Sequence, residues 1–187
     1  MVSLDLEFVR SHFPAFTHPD SRQWAHLENA GGSYVPNQVI SILQSFYTSS
    51  KVQPYWNFGP SAKAGQAMDR SAEVIPATFN ASPVEVHFGP STSQNTYVLA
   101  NALRPDWDPG DNIVVTNQDH EANIGAWRKL SQYGIVVKEW SLNKDSAELE
   151  LENLKSLLTE KTKLLNVCHT SNIVASINNL KEIVNLA

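Results

Sequence analysis

The sequence predicts an α/β protein, a three-layer, mostly parallel sheet with flanking helices, and three observations carry that expectation. From residue 84 onward, short β-branched runs at 84–88, 112–117, 134–140 and 163–168 alternate with helical stretches at 92–103, 121–133 and 150–158. That order implies right-handed strand–helix–strand units in a parallel sheet. The runs are apolar at most positions, as strands buried on both faces are. The composition, 42% apolar and 18% charged over 187 residues, belongs to a globular protein and lies far from the disordered class.

Ahead of the sheet, Leu6, Val9 and Phe13 recur at helical spacing behind Ser3, a candidate N-cap, and Pro14 ends that helix. The stretch Leu27-Glu28-Asn29-Ala30-Gly31-Gly32-Ser33 then predicts a backbone turn, followed by a helix opening at Pro36. Val39, Leu43, Phe46 and Tyr47 give this helix one apolar face. Residues 61–81 are Ala-rich and helical in propensity, but Pro76 lacks the N–H that a helix needs, which predicts a kink or a break there. Pro109-Gly110-Asp111 is a turn leading into the run 112–117. No internal repeat, low-complexity tract or interdomain linker is apparent.

Charge and hydropathy narrow the function classes. With 14 Lys+Arg against 19 Asp+Glu, the net charge is −5, which argues against a nucleic-acid partner because phosphate-binding surfaces carry a basic excess. The longest apolar stretches are four to six residues, whereas a membrane span takes about 20. The amino terminus has no basic segment followed by an apolar core, so neither a secretory signal nor a transit peptide is expected. The single Cys168 excludes an internal disulfide and points to a reducing, cytoplasmic compartment.

Ligands of open α/β sheets bind outside the carboxyl ends of the strands, and three such positions are unusually polar. After the first run comes Gly89-Pro90-Ser91-Thr92-Ser93-Gln94-Asn95-Thr96, a hydroxyl-rich turn opening a helix. It suits an anion such as phosphate, or the hydroxyls only cap the helix. After the second comes Asn117-Gln118-Asp119-His120-Glu121-Ala122-Asn123. An imidazole there can stack on a planar cofactor or move protons near neutral pH, making His120 the best catalytic candidate among six histidines. Its alternative is a surface histidine capping the next helix. A metal site is discounted, because no His or Cys stands four residues on. After the fourth run comes His169-Thr170-Ser171-Asn172, where Asn172 offers a donor and an acceptor to a cofactor or forms an Asx-turn. Cys168 reads as an inert core thiol, with no basic neighbour in sequence to lower its pKa.

Taken together, these turns resemble the class V aminotransferase family of fold type I pyridoxal-phosphate enzymes, in its cysteine desulfurase-like branch. The carriers are Glu28-Asn29-Ala30-Gly31-Gly32-Ser33-Tyr34-Val35-Pro36, Phe88-Gly89 with Ser91-Thr92-Ser93, Asp119-His120-Glu121-Ala122-Asn123 with Trp127, and His169-Thr170-Ser171-Asn172. The resemblance spans essentially the whole chain. It implies pyridoxal 5'-phosphate as cofactor, with Thr92 and Ser93 holding the phosphate, His120 stacked on the pyridine ring and Asn172 bonded to the phenolic oxygen. It also implies that Asn29, Ala30, Gly31 and Gly32 lie near the carboxylate of an amino-acid substrate.

The same resemblance divides the chain into residues 1–60, an N-terminal arm and substrate-side loop with its helix, and residues 61–187, an incomplete cofactor-binding large domain. Family members run to roughly twice this length, and their Schiff-base lysine follows a histidine. None of the lysines at 51, 63, 129, 138, 144, 155, 161, 163 and 181 does so. The chain therefore reads as an N-terminal part lacking the C-terminal small domain, and as a homodimer when full length. Such a part, alone, is expected to bind the phosphate moiety weakly at most. Desulfurase, aminotransferase, epimerase and C–S lyase reactions all remain open at this point, as does an inactive fragment or degenerate paralogue acting as an interaction module. Ala175 stands where the family usually has glycine.

Overall fold

The computed structural model describes residues 4–187, so Ser3, read above as a helix cap, lies outside it. The chain divides into two compact units, Met1–His87 and Phe88–Ala187.

In the first unit, α1 (Leu6–Ser11) is capped by Asp5, whose carboxylate accepts the Phe8 N–H at 2.9 Å. The end of α1 is tied to the start of α2 (Asn37–Ser49), because the Asn37 N–H donates to the His12 carbonyl at 2.7 Å. Pro36 occupies the cap of α2 in an extended conformation, one place before the first helical residue. The apolar residues Val39, Leu43, Phe46 and Tyr47 are all exposed, and no residue of α2 is buried.

Of the kink or break expected at Pro76, the break does not occur. Helix α3 (Gly59–Thr78) runs through it with the proline ring buried. The helix forgoes the one bond that an N–H at this position would have made to the Ala72 carbonyl, and only two helical residues follow the proline. Its end is a Schellman closure around Asn80 at φ 55°, with Asn80 N–H on Ala77 O at 3.3 Å and Ala81 N–H on Pro76 O at 3.0 Å. The run 84–88 is likewise not a strand. Pro83–Glu85 is a single 3-10 turn, in which the Glu85 carboxylate accepts the Ser82 N–H at 2.7 Å. Val84 is 94% exposed, so this β-branched run has no sheet to bury it, and local capping decides its conformation.

The second unit opens with α4 (Thr92–Leu103) and continues with β1 (Asn112–Thr116), α5 (Glu121–Arg128), β2 (Val136–Trp140), α6 (Leu151–Leu157), β3 (Thr162–Leu165) and α7 (Leu180–Leu186). The sheet has three strands, not four, in the order β2-β1-β3, and both pairings are parallel. β1 is central, and all five of its residues are buried. Alternation along it builds the two outer layers. Ile113 and Val115 pack with Ala100 of α4 and Ile124, Ala126 and Trp127 of α5, while Val114 packs with Trp140, Leu154 of α6 and Ile183 of α7.

The predicted helix 121–133 becomes α5 followed by a 3-10 segment, Lys129–Tyr133. It ends at Gly134 with φ 85°, where a Cβ would also lie 3.0 Å from that of Pro109. Leu154 exposes no surface, so its truncation to alanine costs about 2–5 kcal/mol.

Candidate functional site

Hydrogen bonds stitch together the segments that leave the carboxyl ends of the three strands. Beyond β1, the Asn117 side-chain oxygen accepts the Leu142 N–H from beyond β2 at 2.9 Å. The Gln118 carbonyl accepts the Ser171 hydroxyl from beyond β3 at 2.6 Å. Asn166, also beyond β3, donates its side-chain amide to the Asn123 carbonyl in the first turn of α5 at 3.3 Å. These bonds join the three loops into one face.

His120 stands on that face as the N-cap of α5 and is exposed. Its Nδ1 accepts the Ala122 N–H at 3.0 Å, so the capping alternative is what its own hydrogen bond shows. That bond also fixes the ring plane, and Nε2 has no hydrogen-bond partner among the described residues. Asp119 supports it from behind: Oδ1 accepts the His120 N–H at 2.7 Å and Oδ2 accepts the Asn123 side-chain amide at 2.6 Å.

Thr92 and Ser93 form the first turn of α4 and are exposed. The cap is Ser91, whose hydroxyl accepts the Gln94 N–H at 3.2 Å. The N–H groups of Thr92 and Ser93 precede the first intrahelical bond and point out of the helix end. A Cβ at Gly89, in the approach to this turn, would meet the Asn95 carboxamide Cγ at 2.6 Å, so any other residue there requires the Asn95 side chain to move. Helices α4 and α5 run in the same direction. Lys129 Nζ lies 4.8 Å from the Tyr97 ring centroid, and farther along both, Arg104 Cζ lies 4.6 Å from that of Tyr133. The amino end of α4 thus falls on the side of the sheet where α5 begins.

Asn172 is exposed in the turn 171–175. The Ser171 hydroxyl accepts the Ile173 and Val174 N–H groups at 3.2 Å each, and the Ala175 N–H closes the turn on the Ser171 carbonyl at 3.0 Å. Ala175 has φ 60°, a left-handed conformation that favours glycine. The sequence reading assigned no role to Gln118, Ser176 or Asn178, which hold this turn from below. A glutamine between two polar residues gives no periodic signal, and only burial reveals it.

Cys168 is half-buried, and its Sγ faces the Gln118 oxygen at 3.8 Å. Burial first, and the Asp119 carboxylate second, push its thiol pKa up, which disfavours the thiolate. In the first unit, Asn29, Ala30, Gly31 and Gly32 form an exposed turn, with the Gly31 and Gly32 N–H groups both on the Glu28 carbonyl at 3.2 Å. Neither glycine has positive φ. The His26 ring bonds the Gly32 carbonyl at 3.0 Å.

The sequence profile of the family described as aminotransferase class-V matches residues 25–187. The chain is 34% identical over 190 residues to the aminotransferase-like protein FGM3 of Gibberella zeae, covering 98% of this chain and 46% of that protein. It is 33% identical to a cysteine desulfurase of Serratia proteamaculans, covering 97% and 46% respectively. The fold matches the apo structure of cysteine desulfurase from Thermococcus onnurineus NA1 with a TM-score of 0.86 at 22% identity, over 100% of this chain and 46% of that one. The chain spans about half the length of the curated relatives it matches. No helix among the described residues is long and apolar enough to cross a membrane. On the extent of the profile match, supported by both relatives, this chain belongs to the aminotransferase class-V family.

Proposed function

We propose that this chain supplies the cofactor-facing groups of a pyridoxal 5'-phosphate-dependent, cysteine desulfurase-like enzyme acting on an amino acid. The observation that carries the reading is the exposed His120 ring, held in a fixed plane by the Ala122 N–H on a face where the strand ends are tied together. The donor set around it fits this cofactor. Exposed hydroxyls and free N–H groups at the start of the 12-residue α4 suit a dianionic phosphate. A planar ring suits the pyridine face, and the exposed Asn172 amide suits a phenolic oxygen.

When bound, the cofactor supplies an electron sink for bond cleavage at the α-carbon of an amino acid. In this reading Thr92 and Ser93 anchor the phosphate, Asn172 donates to the ring oxygen and His120 covers one ring face. With Nδ1 accepting from Ala122, the proton of the neutral His120 ring sits on Nε2, where it can be donated to a reacting group. The Asn29–Gly32 turn, with its small side chains, takes the substrate carboxylate. A homodimer, which the family resemblance implies, and a reducing cytoplasmic compartment, in keeping with the single cysteine, complete the proposal.

The test is intact mass spectrometry of the native protein that carries these residues, before and after borohydride reduction. A gain of one reduced pyridoxyl phosphate group supports the reading. A native protein with neither that adduct nor cofactor absorbance overturns it.

A further inference from the structure

We infer that Gln118 is a positioning residue, whose buried carboxamide sets the turn carrying Asn172 in register with the strand end carrying His120. The inference rests on the cofactor reading above for the roles of those two residues. Gln118 lies two positions before His120 and exposes no surface. Its Nε2 donates to the Ala147 carbonyl at 3.0 Å and the Ser176 hydroxyl at 2.6 Å, and its Oε1 accepts from the Asn178 side-chain amide at 2.7 Å. Both donors and the acceptor of one neutral side chain are thereby used, and their partners lie in the segments that follow β2 and β3. Gln118 itself follows β1. A single side chain thus joins the loops leaving all three strands.

The clamp grips both ends of the Asn172 turn. On the incoming side, the Gln118 carbonyl holds the Ser171 hydroxyl at 2.6 Å, and that hydroxyl in turn receives the Ile173 and Val174 N–H groups. On the outgoing side, Asn178 bridges Gln118 to the Cys168 carbonyl at 2.8 Å, while its own N–H reaches the His169 carbonyl at 2.8 Å. The turn is therefore held by buried polar bonds rather than by apolar packing, and Ile173 and Ile177 are exposed. An apolar side chain of the same length would fill the volume and remove the bonds to the Asn178 amide, the Ser176 hydroxyl and the Ala147 carbonyl, leaving the Asn178 amide only its bond to Cys168 and the Ser176 hydroxyl only its 3.4 Å contact with Ala147. The outgoing side of the turn would then lose its tie to the strand end, while the Gln118 backbone carbonyl still holds Ser171 on the incoming side.

The experiment compares the protein with its Gln118→Met and Asn172→Ala variants by amide hydrogen exchange and by the absorbance of bound pyridoxal 5'-phosphate. In Gln118→Met, amides 171–176 are expected to exchange about tenfold faster while those of β1 and α5 keep their protection. The cofactor band is expected to move in the same direction as in Asn172→Ala, and Asn172→Ala added to Gln118→Met moves it no further. Unchanged exchange at 171–176, or a rise spread evenly over β1 and α5, overturns the inference. Should Gln118→Met not fold, Ser176→Ala decides, because it removes one anchor and leaves the glutamine in place. Faster exchange confined to 171–176 supports the clamp, and unchanged exchange there refutes it. A wild-type protein with no cofactor band sinks the cofactor reading alone, and the exchange comparison then stands by itself.

Discussion

The Nδ1 atom of His120 accepts the backbone N–H of Ala122 at 3.0 Å. One bond thus caps α5, fixes the imidazole plane and puts the ring proton on Nε2. Capping and cofactor contact are separable by substitution. His120→Ala removes both and is expected to cost about 1 kcal/mol of stability, whereas His120→Asn keeps a capping side chain and leaves stability near that of the parent. Both variants are expected to bind pyridoxal 5'-phosphate more weakly. Urea denaturation and a cofactor titration measure the two effects. Parental affinity in both variants would remove His120 from the site.

Thr92 and Ser93 are separable from their neighbour Ser91 in the same way. Ser91 accepts the Gln94 N–H at 3.2 Å, so Ser91→Ala is expected to cost about 1 kcal/mol in stability. Thr92→Ala with Ser93→Ala is expected to leave the fold intact and weaken cofactor binding about tenfold or more, as loss of a hydrogen bond to a charged group does. An unaltered titration in the double variant would count against the phosphate assignment.

Ala175 adopts φ 60° in the turn beside Asn172. Glycine takes this conformation without the Cβ conflict, so Ala175→Gly is expected to stabilise the protein by about 0.5–1 kcal/mol. The reading is the midpoint of chemical denaturation. A lower midpoint would mean that the alanine methyl contributes packing that outweighs the backbone strain.

Burial, reinforced by the Asp119 charge, raises the Cys168 pKa. The unfolded thiol therefore loses its proton first as pH rises, and the native state then binds more protons than the unfolded one. Stability accordingly falls with pH through the ordinary thiol range, about pH 8–9. Cys168→Ala is expected to flatten that part of the pH–stability curve, and iodoacetamide should label Cys168 more slowly than a free thiol at neutral pH. Rapid labelling of the folded protein at neutral pH would contradict the shift.

The sequence by itself determined the elements whose periodicity is local or whose burial is two-sided. Helix 92–103 emerges with the expected bounds, and the runs at 112–117, 134–140 and 163–168 all enter the parallel sheet within a few residues of their predicted limits. The polar turns containing His120 and Asn172 follow β1 and β3, where strand ends in an open sheet put them. Tertiary structure alone decided the rest. Residues 84–88 have strand composition but no neighbouring strand, so the Ser82–Glu85 cap wins. Pro76 lies inside α3, whose end is set by the Asn80 closure rather than by the proline. The Gln118–Asn178 bond joins residues 60 apart in sequence. A polar side chain declares its partner only once the surrounding fold has removed water and left it one place to bond.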